Sequence, residues 1–311
     1  MEKKLVTISV PIFNEVEMVF EIYERVNSVF TNIPNYNYEL VFFDDGSTDG
    51  TEREIEKMCK IHKEVKYVGY AKNFGYLKNT FYCVQQSKGD CSMLLHSDLQ
   101  NPPELIPEFL KKWEGGAMVV QGVKRKSKEG KMKWFLKSIY YFVLIKIFGV
   151  KIKAHATEFE LFDKSFIEIL KQKKPRKPFL RGIVSEYALS TEQVYYEQEA
   201  RKKGKSKFKF KSMFSFTVTA IGQYSKHLSF ILVLSGILLL SVFSLGFVLF
   251  FIHHLPSIST IGLAGSLILC AFCVLFSLFI IGLGFCWRCI REYNKNRKCD
   301  PVVVEKKRIN Y

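Results

Sequence analysis

Residues 228–252 contain no charged side chain, and neither do residues 261–287. A bilayer-crossing helix needs about 20 predominantly apolar residues, so these absences exclude an entirely soluble chain and predict two membrane spans. The connection between them, HHLPSIST at 253–260, lacks Lys and Arg. By contrast, RKKGKSKFKFK at 201–211 has seven basic residues and no acid, and Arg288, Arg291, Lys295, Arg297 and Lys298 follow the second run. Basic residues concentrate on cytoplasmic flanks. The reading is therefore a multi-pass protein of the cell (inner) membrane with both termini cytoplasmic and the connection outside. An apolar stretch of signal-peptide length is also missing at the N-terminus, where MEKKLVTISVPIF is strand-like.

Acid is scarce throughout. Against 46 Lys and Arg stand 30 Asp and Glu, a formal net charge of +16. Such a balance calls for a polyanionic partner, whether nucleic acid, anionic lipid or a phosphorylated substrate. The positive charge borders the apolar runs, which argues against nucleic acid and for a lipid surface or a phosphate headgroup. Of the eight cysteines, Cys270, Cys273, Cys286 and Cys289 have zinc-ribbon-like spacing. They lie within continuous apolar helix, where cysteines at i and i+3 are ordinary small apolar side chains, and structural disulfides are not expected in a cytoplasmic chain.

What is present over the first hundred residues is an alternation of strand and helix signals. KLVTISVPIF, ELVFFDDGST, VKYVGYA and CSMLLHSD read as strands, and MVVQGV at 118–123 is a fifth strand-like segment beyond them; helical spacing joins Val16, Val19, Phe20, Tyr23, Val26 and Phe30. Alternation of this kind predicts an α/β domain with a parallel, doubly wound sheet, whose ligands sit beyond the carboxyl ends of the strands. Polar residues cluster there: Pro11, Asn14 and Glu15 after strand one, Asp44, Asp45 and Ser47 after strand two, Lys72 and Asn73 after strand three, His96, Asp98 and Gln100 after strand four. If the fourth strand continues, its alternate residues His96, Asp98 and Gln100 point the same way and make a candidate metal site. Lys124 and Arg125 after the fifth strand are candidate phosphate ligands. The expected organisation is a cytoplasmic domain over 1–225, a two-helix hairpin over 226–290 and a basic tail over 291–311. Aromatic-rich helices at 131–150 and 212–224 are expected in the headgroup region, and Gly262 with Ser266 is a small-residue pair that fits a homo-oligomer through the spans.

ISVPIFNE, FFDDGSTDGT, KNFG and HSDLQNPPE together resemble the family 2 glycosyltransferases of GT-A fold. FLRGIVS at 179–185, RKKGKSKF at 201–208, the two spans and the closing RKCDPVVVE are similar to the polyprenyl-phosphate branch, which includes dolichyl-phosphate mannose synthases and bactoprenol glucosyltransferases. The resemblance implies a GT-A nucleotide-sugar-binding domain followed by two transmembrane helices. It puts Pro11, Asn14, Glu15, Asp44, Asp45, Ser47, Lys72 and Asn73 at the nucleotide-sugar, and a divalent cation, Mn²⁺ or Mg²⁺, at His96, Asp98 and Gln100. Arg201, Gly204, Ser206 and Lys207 correspond to a phosphate-binding segment, and Glu158, Phe159 and Glu160 to the family's DFR, with Asp98 and Glu158 in the catalytic roles.

Two departures stand out. His96 replaces the first Asp of the family's metal motif, removing one negative charge and favouring Mn²⁺ or Zn²⁺. EFE replaces DFR, exchanging a cation for an anion at Glu160. The implied reaction moves one sugar, with inversion, from a nucleotide-sugar such as a UDP-sugar to a polyprenyl phosphate, for cell-envelope glycan or lipid-linked sugar synthesis. The alternative is a catalytically retired membrane scaffold that binds a nucleotide-sugar without turnover. A processive polysaccharide synthase is disfavoured by the lack of a QxxRW segment and by having only two spans.

Overall fold

The structure, a computed structural model, describes residues 3–125, 138–150, 152–175, 178–197, 217–218, 220–222, 224–225, 227–254, 260–296 and 302–311. The chain forms two compact units. One comprises Met1–Tyr141, Lys151–Thr219 and Lys298–Tyr311; the other comprises Phe142–Val150 and Ala220–Arg297.

The first unit is built on a sheet of eight strands: β1 (Lys4–Ile12), β2 (Tyr36–Asp44), β3 (Val65–Tyr70), β4 (Cys91–Leu94), β5 (Val119–Lys124), β6 (Ala156–Asp163), β7 (Thr191–Tyr196) and β8 (Glu305–Ile309), in the order β7-β5-β6-β4-β1-β2-β3-β8. Every residue of β1 from Val6 to Ile12 is buried, the sequence pattern of a strand covered on both faces. Helices α1 (Val19–Thr31), α2 (Thr51–Ile61) and α4 (Ile106–Glu114) contribute Ile22, Val26, Ile55, Phe109 and Trp113 to the main core with Val6, Ile8, Phe42 and Met93. α3 (Tyr76–Gln85) packs with α5 (Lys164–Lys171). A further helix, α6, spans Leu180–Tyr187.

β1 to β4 are parallel, as the alternation predicts. β6 is not: it enters between β4 and β5 and runs antiparallel to both, so the sheet is mixed rather than uniformly parallel. This reversal positions the site. Leu94, the last residue of β4, pairs with Glu160, and the preceding residues of β6 therefore project past the carboxyl end of β4.

The end of the chain also departs from expectation. Its last residues are not a separate basic tail: β8 pairs antiparallel with β3 and covers that edge. Val302 and Val303 are buried, Lys307 pairs with Glu56, and Tyr311 hydrogen-bonds the Gln86 carbonyl. An open edge is a template for unwanted strand pairing, and this segment occupies it.

The second unit holds two helices, α7 (Leu228–His254) and α8 (Thr260–Asn296), both long and apolar enough to cross a membrane. Phe230, Leu238, Leu245, Leu269, Phe272 and Phe279 are exposed along them, an apolar surface far too extensive for water. The helices approach closely at Gly236, where an added Cβ would lie 2.5 Å from the Ile281 side chain, the role small residues play between apolar helices. α8 continues past the expected limit of 290 to Asn296. Of the expected headgroup helices, Ser138–Ile147 is helical and exposes Ile139, Phe142 and Ile147. Residues 131–137, most of 212–224, and Arg201, Gly204, Ser206 and Lys207 lie outside the described residues.

Candidate active site

The carboxyl edge of the parallel strands is organised by its own polar residues. Pro11 sits in a central strand, normally a poor place for a residue without an N–H. β4 pairs with β1 only as far as Ser9, so Pro11 lies beyond the β4 ladder. Asn14, at φ +50°, accepts a hydrogen bond from the Thr48 N–H at 2.7 Å and donates its own N–H to Ser47 Oγ at 2.8 Å. The Glu15 N–H donates to Thr51 Oγ1 at 3.2 Å. The loop after β1 is thereby latched to the loop after β2.

Asp44 and Asp45 extend the latch. One Asp44 oxygen accepts from the Ser47 N–H and hydroxyl, at 2.9 and 2.5 Å, and the other from the Tyr67 hydroxyl at 3.0 Å. Asp45 accepts from the Phe74 and Gly75 N–H groups at 2.6 and 2.9 Å, fixing the loop that carries Lys72 and Asn73. Burial pushes both carboxyls above the usual range, Asp45 to about 6, with the hydrogen bonds opposing the shift. Between them and the next loop Gly46, at φ +75°, brings its backbone so near Lys72 that a Cβ would lie 2.9 Å from the Lys72 carbonyl carbon. Lys72 is exposed, its Nζ 5.5 Å from the centre of the Phe74 ring. The expected nucleotide-sugar residues are thus brought together on adjoining loops.

The loop after β4 differs from its expected form. The strand stops at Leu94, the Leu99 N–H bonds the His96 carbonyl at 3.3 Å, and Leu99 adopts φ +50°. His96, Asp98 and Gln100 therefore lie on a turn, not on one face of a continuing strand. Sequence alternation could not show this, because the turn depends on a non-glycine residue with positive φ. The Gln100 N–H donates to Asp98 Oδ1 at 3.2 Å. His96 Nε2 lies 3.3 Å from the Tyr76 hydroxyl. Among the described residues no three His, Cys, Asp or Glu side chains converge as a metal centre. His96, Asp98 and Gln100 nonetheless offer an imidazole, a carboxylate and an amide, donor types that divalent cations accept.

Because β6 is reversed, Glu158 reaches the same edge. It is 1% exposed, and Oε1 lies 3.7 Å from the Nε of Arg181 on α6. The Tyr76 hydroxyl lies among Glu158, Arg181 and Asp98; desolvation there, then the Glu158 charge, push it well above the ordinary tyrosine range. Burial opposes the charge on Arg181, but Tyr141, Glu158, Tyr76 and Glu160 around it raise its affinity for the proton. Arg181 and Tyr76 carry no motif role in the sequence reading. The only signal for Arg181 was its place in FLRGIVS, and its separation from Glu158 along the chain conceals their contact. Of the expected phosphate ligands, Arg125 lies over the Tyr195 ring at 5.4 Å, and the Lys124 N–H bonds the His155 carbonyl at 3.3 Å.

Comparison with known proteins identifies the family and the fold. Residues 7–174 match the glycosyl transferase family 2 model. An uncharacterized glycosyltransferase of Bacillus subtilis is 30% identical over 220 residues, 70% of this chain and 68% of that protein. The bactoprenol glucosyl transferase of Shigella phage SfV is 30% identical over 221 residues, 71% of this chain and 72% of that protein. Among solved structures, glucosyl-3-phosphoglycerate synthase from Mycobacterium tuberculosis, bound to Mn²⁺, UDP and glucosyl-3-phosphoglycerate, shares the fold with a TM-score of 0.51 at 16% identity, over 70% of this chain and 78% of that one. With its mixed GT-A sheet and latched carboxyl-edge loops, the chain belongs to glycosyl transferase family 2.

Proposed function

We propose that this glycosyltransferase moves one sugar from a nucleotide-sugar, a UDP-sugar in the first instance, to a polyprenyl phosphate at the cytoplasmic face of the membrane. The observation that carries the reading is the union in one chain of a family 2 catalytic unit, 30% identical to a bactoprenol glucosyl transferase, with two helices able to span a bilayer. An acceptor bearing a long apolar tail needs a transferase held at the lipid surface. The basic run at 201–211 and the exposed apolar residues of Ser138–Ile147 suit that position.

The acceptor phosphate needs little help from a base, since a phosphate monoester's second pKa is about 6. Its oxygen attacks the anomeric carbon, the bond to the nucleoside diphosphate breaks, and the electron pair leaves on the diphosphate, inverting the centre. Asp98, His96 and Gln100 would hold a divalent cation. Bound there, the ion supplies Lewis-acid neutralisation of the leaving diphosphate. Asp44, Asp45, Ser47 and Asn14 hold the donor loops in place. Glu158, desolvated and fixed by Arg181, orients the acceptor against the donor.

Purified protein in lipid with undecaprenyl phosphate, a panel of UDP- and GDP-sugars and Mn²⁺ or Mg²⁺, scored for sugar entering the lipid phase, tests the reading. The expected product is a single-sugar lipid of inverted anomeric configuration. Retained configuration would overturn single displacement, and nucleotide binding without transfer across the panel would identify a scaffold.

A further inference from the structure

Glu160 stands where the resembled family carries Arg, and the mechanism above does not use it. It is 0% exposed, on the same face of β6 as Glu158. Its Oε1 accepts from Gln121 Nε2 at 2.5 Å, its cross-strand partner on β5. Oε2 has no hydrogen-bond partner among the described residues. The other groups around it are Glu158 on its own strand, Arg181 from α6 and, through Arg181, Tyr76 and Tyr141; its β4 partner is the apolar Leu94.

Among the described residues, two carboxylates thus share one cation. If both were ionised, the buried cluster would keep an uncompensated negative charge, which an enclosed site does not tolerate. Arg181 stands 3.7 Å from Glu158, whereas Glu160 is bonded to a neutral amide. The proton therefore belongs on Glu160. Burial outweighs the opposing Gln121 hydrogen bond and Arg181 charge, with the Glu158 charge the smallest contribution, and pushes the Glu160 carboxyl up to about 8. Gln121 and Arg181 also line a cleft of about 350 Å³.

We propose that Glu160 is a positioning residue carried as the neutral acid, which anchors Gln121 and leaves Arg181 to Glu158, so that Glu158 stays paired and fixed at the reaction centre. The inference rests on the transferase reading above. Loss of the Glu160 proton places a second anion beside Arg181 and pulls the guanidinium away from Glu158.

Transfer rates from pH 6 to 9.5 for the full-length protein in lipid, with E160Q and E160A, test this. In the parent, kcat falls about tenfold per pH unit above about 8. E160A loses about tenfold or more in kcat at neutral pH with donor KM unchanged; E160Q, a neutral isostere, recovers most of the loss and lacks the alkaline fall. An alkaline fall that persists in E160Q, or an E160Q variant as impaired as E160A, overturns the proposal. A readout independent of turnover is the infrared carbonyl band of a buried protonated carboxyl at pH 7, present in the parent and absent in E160Q. Presence of that band in a protein inactive on every sugar tried would retain the neutral Glu160 and reject the transferase reading; its absence from the parent rejects the neutral Glu160 whatever the activity.

Discussion

Arg181 on α6 and Glu158 on β6, 23 positions apart in sequence, meet at 3.7 Å, and Glu158 reaches this edge because β6 runs against its neighbours. Glu158 is 1% exposed, so Arg181 offsets a charge that would otherwise be stranded. R181M should destabilise the protein by about 3 kcal/mol, seen as a lower denaturant midpoint. R181M with E158Q should recover much of that stability while remaining inactive. Additive losses in the double variant would show that the two side chains are not coupled.

Asp98 engages the Gln100 N–H on a partly exposed turn and is the carboxylate best suited to the diphosphate and its cation. D98A should lower transfer by about two to three orders of magnitude, with the thermal midpoint little changed. Sugar incorporation into lipid beside a melting curve separates the two effects.

Asp45 gives a pH dependence of definite sign. Its carboxyl is raised from 3.8 to about 6 by burial, so the folded state holds this proton more tightly than the unfolded state does. Its contribution to stability is fully present below 3.8, falls as pH rises to about 6, and is constant above. The stability difference between parent and D45N should follow that course. A difference flat with pH would show that Asp45 titrates normally.

Gly46 should tolerate no side chain. With φ at +75° and the Lys72 backbone 2.9 Å from where an alanine methyl would stand, G46A is expected to cost about 1–3 kcal/mol and to weaken donor binding by shifting the loop of Lys72 and Asn73. Calorimetric titration with UDP checks the second effect.

Removal of residues 302–311 should uncover the edge of β3 and abolish the ion pairs of Lys306 and Lys307 with Glu52 and Glu56. Aggregation in detergent at concentrations where the full chain is monodisperse is expected. Equal dispersity of both would mean that β8 does not protect the sheet.

The order of the first five strands, the two apolar spans and the clustering of polar residues at the strand ends are legible in the chain alone. Each of these is a local property, since alternation, apolar length and turn residues act over a few positions. Asn14, Asp45, Ser47 and Lys72 were legible as neighbours because parallel strands bring their ends to one edge. Other features emerge only on folding: the reversal of β6, the turn that ends β4 before His96, the closing of the sheet by its last strand, and the place of Arg181 and Glu160 around Glu158. Those outcomes depend on which distant segments share a buried environment. Charge compensation inside such an environment is imposed by the whole fold, and no local pattern in the chain encodes it.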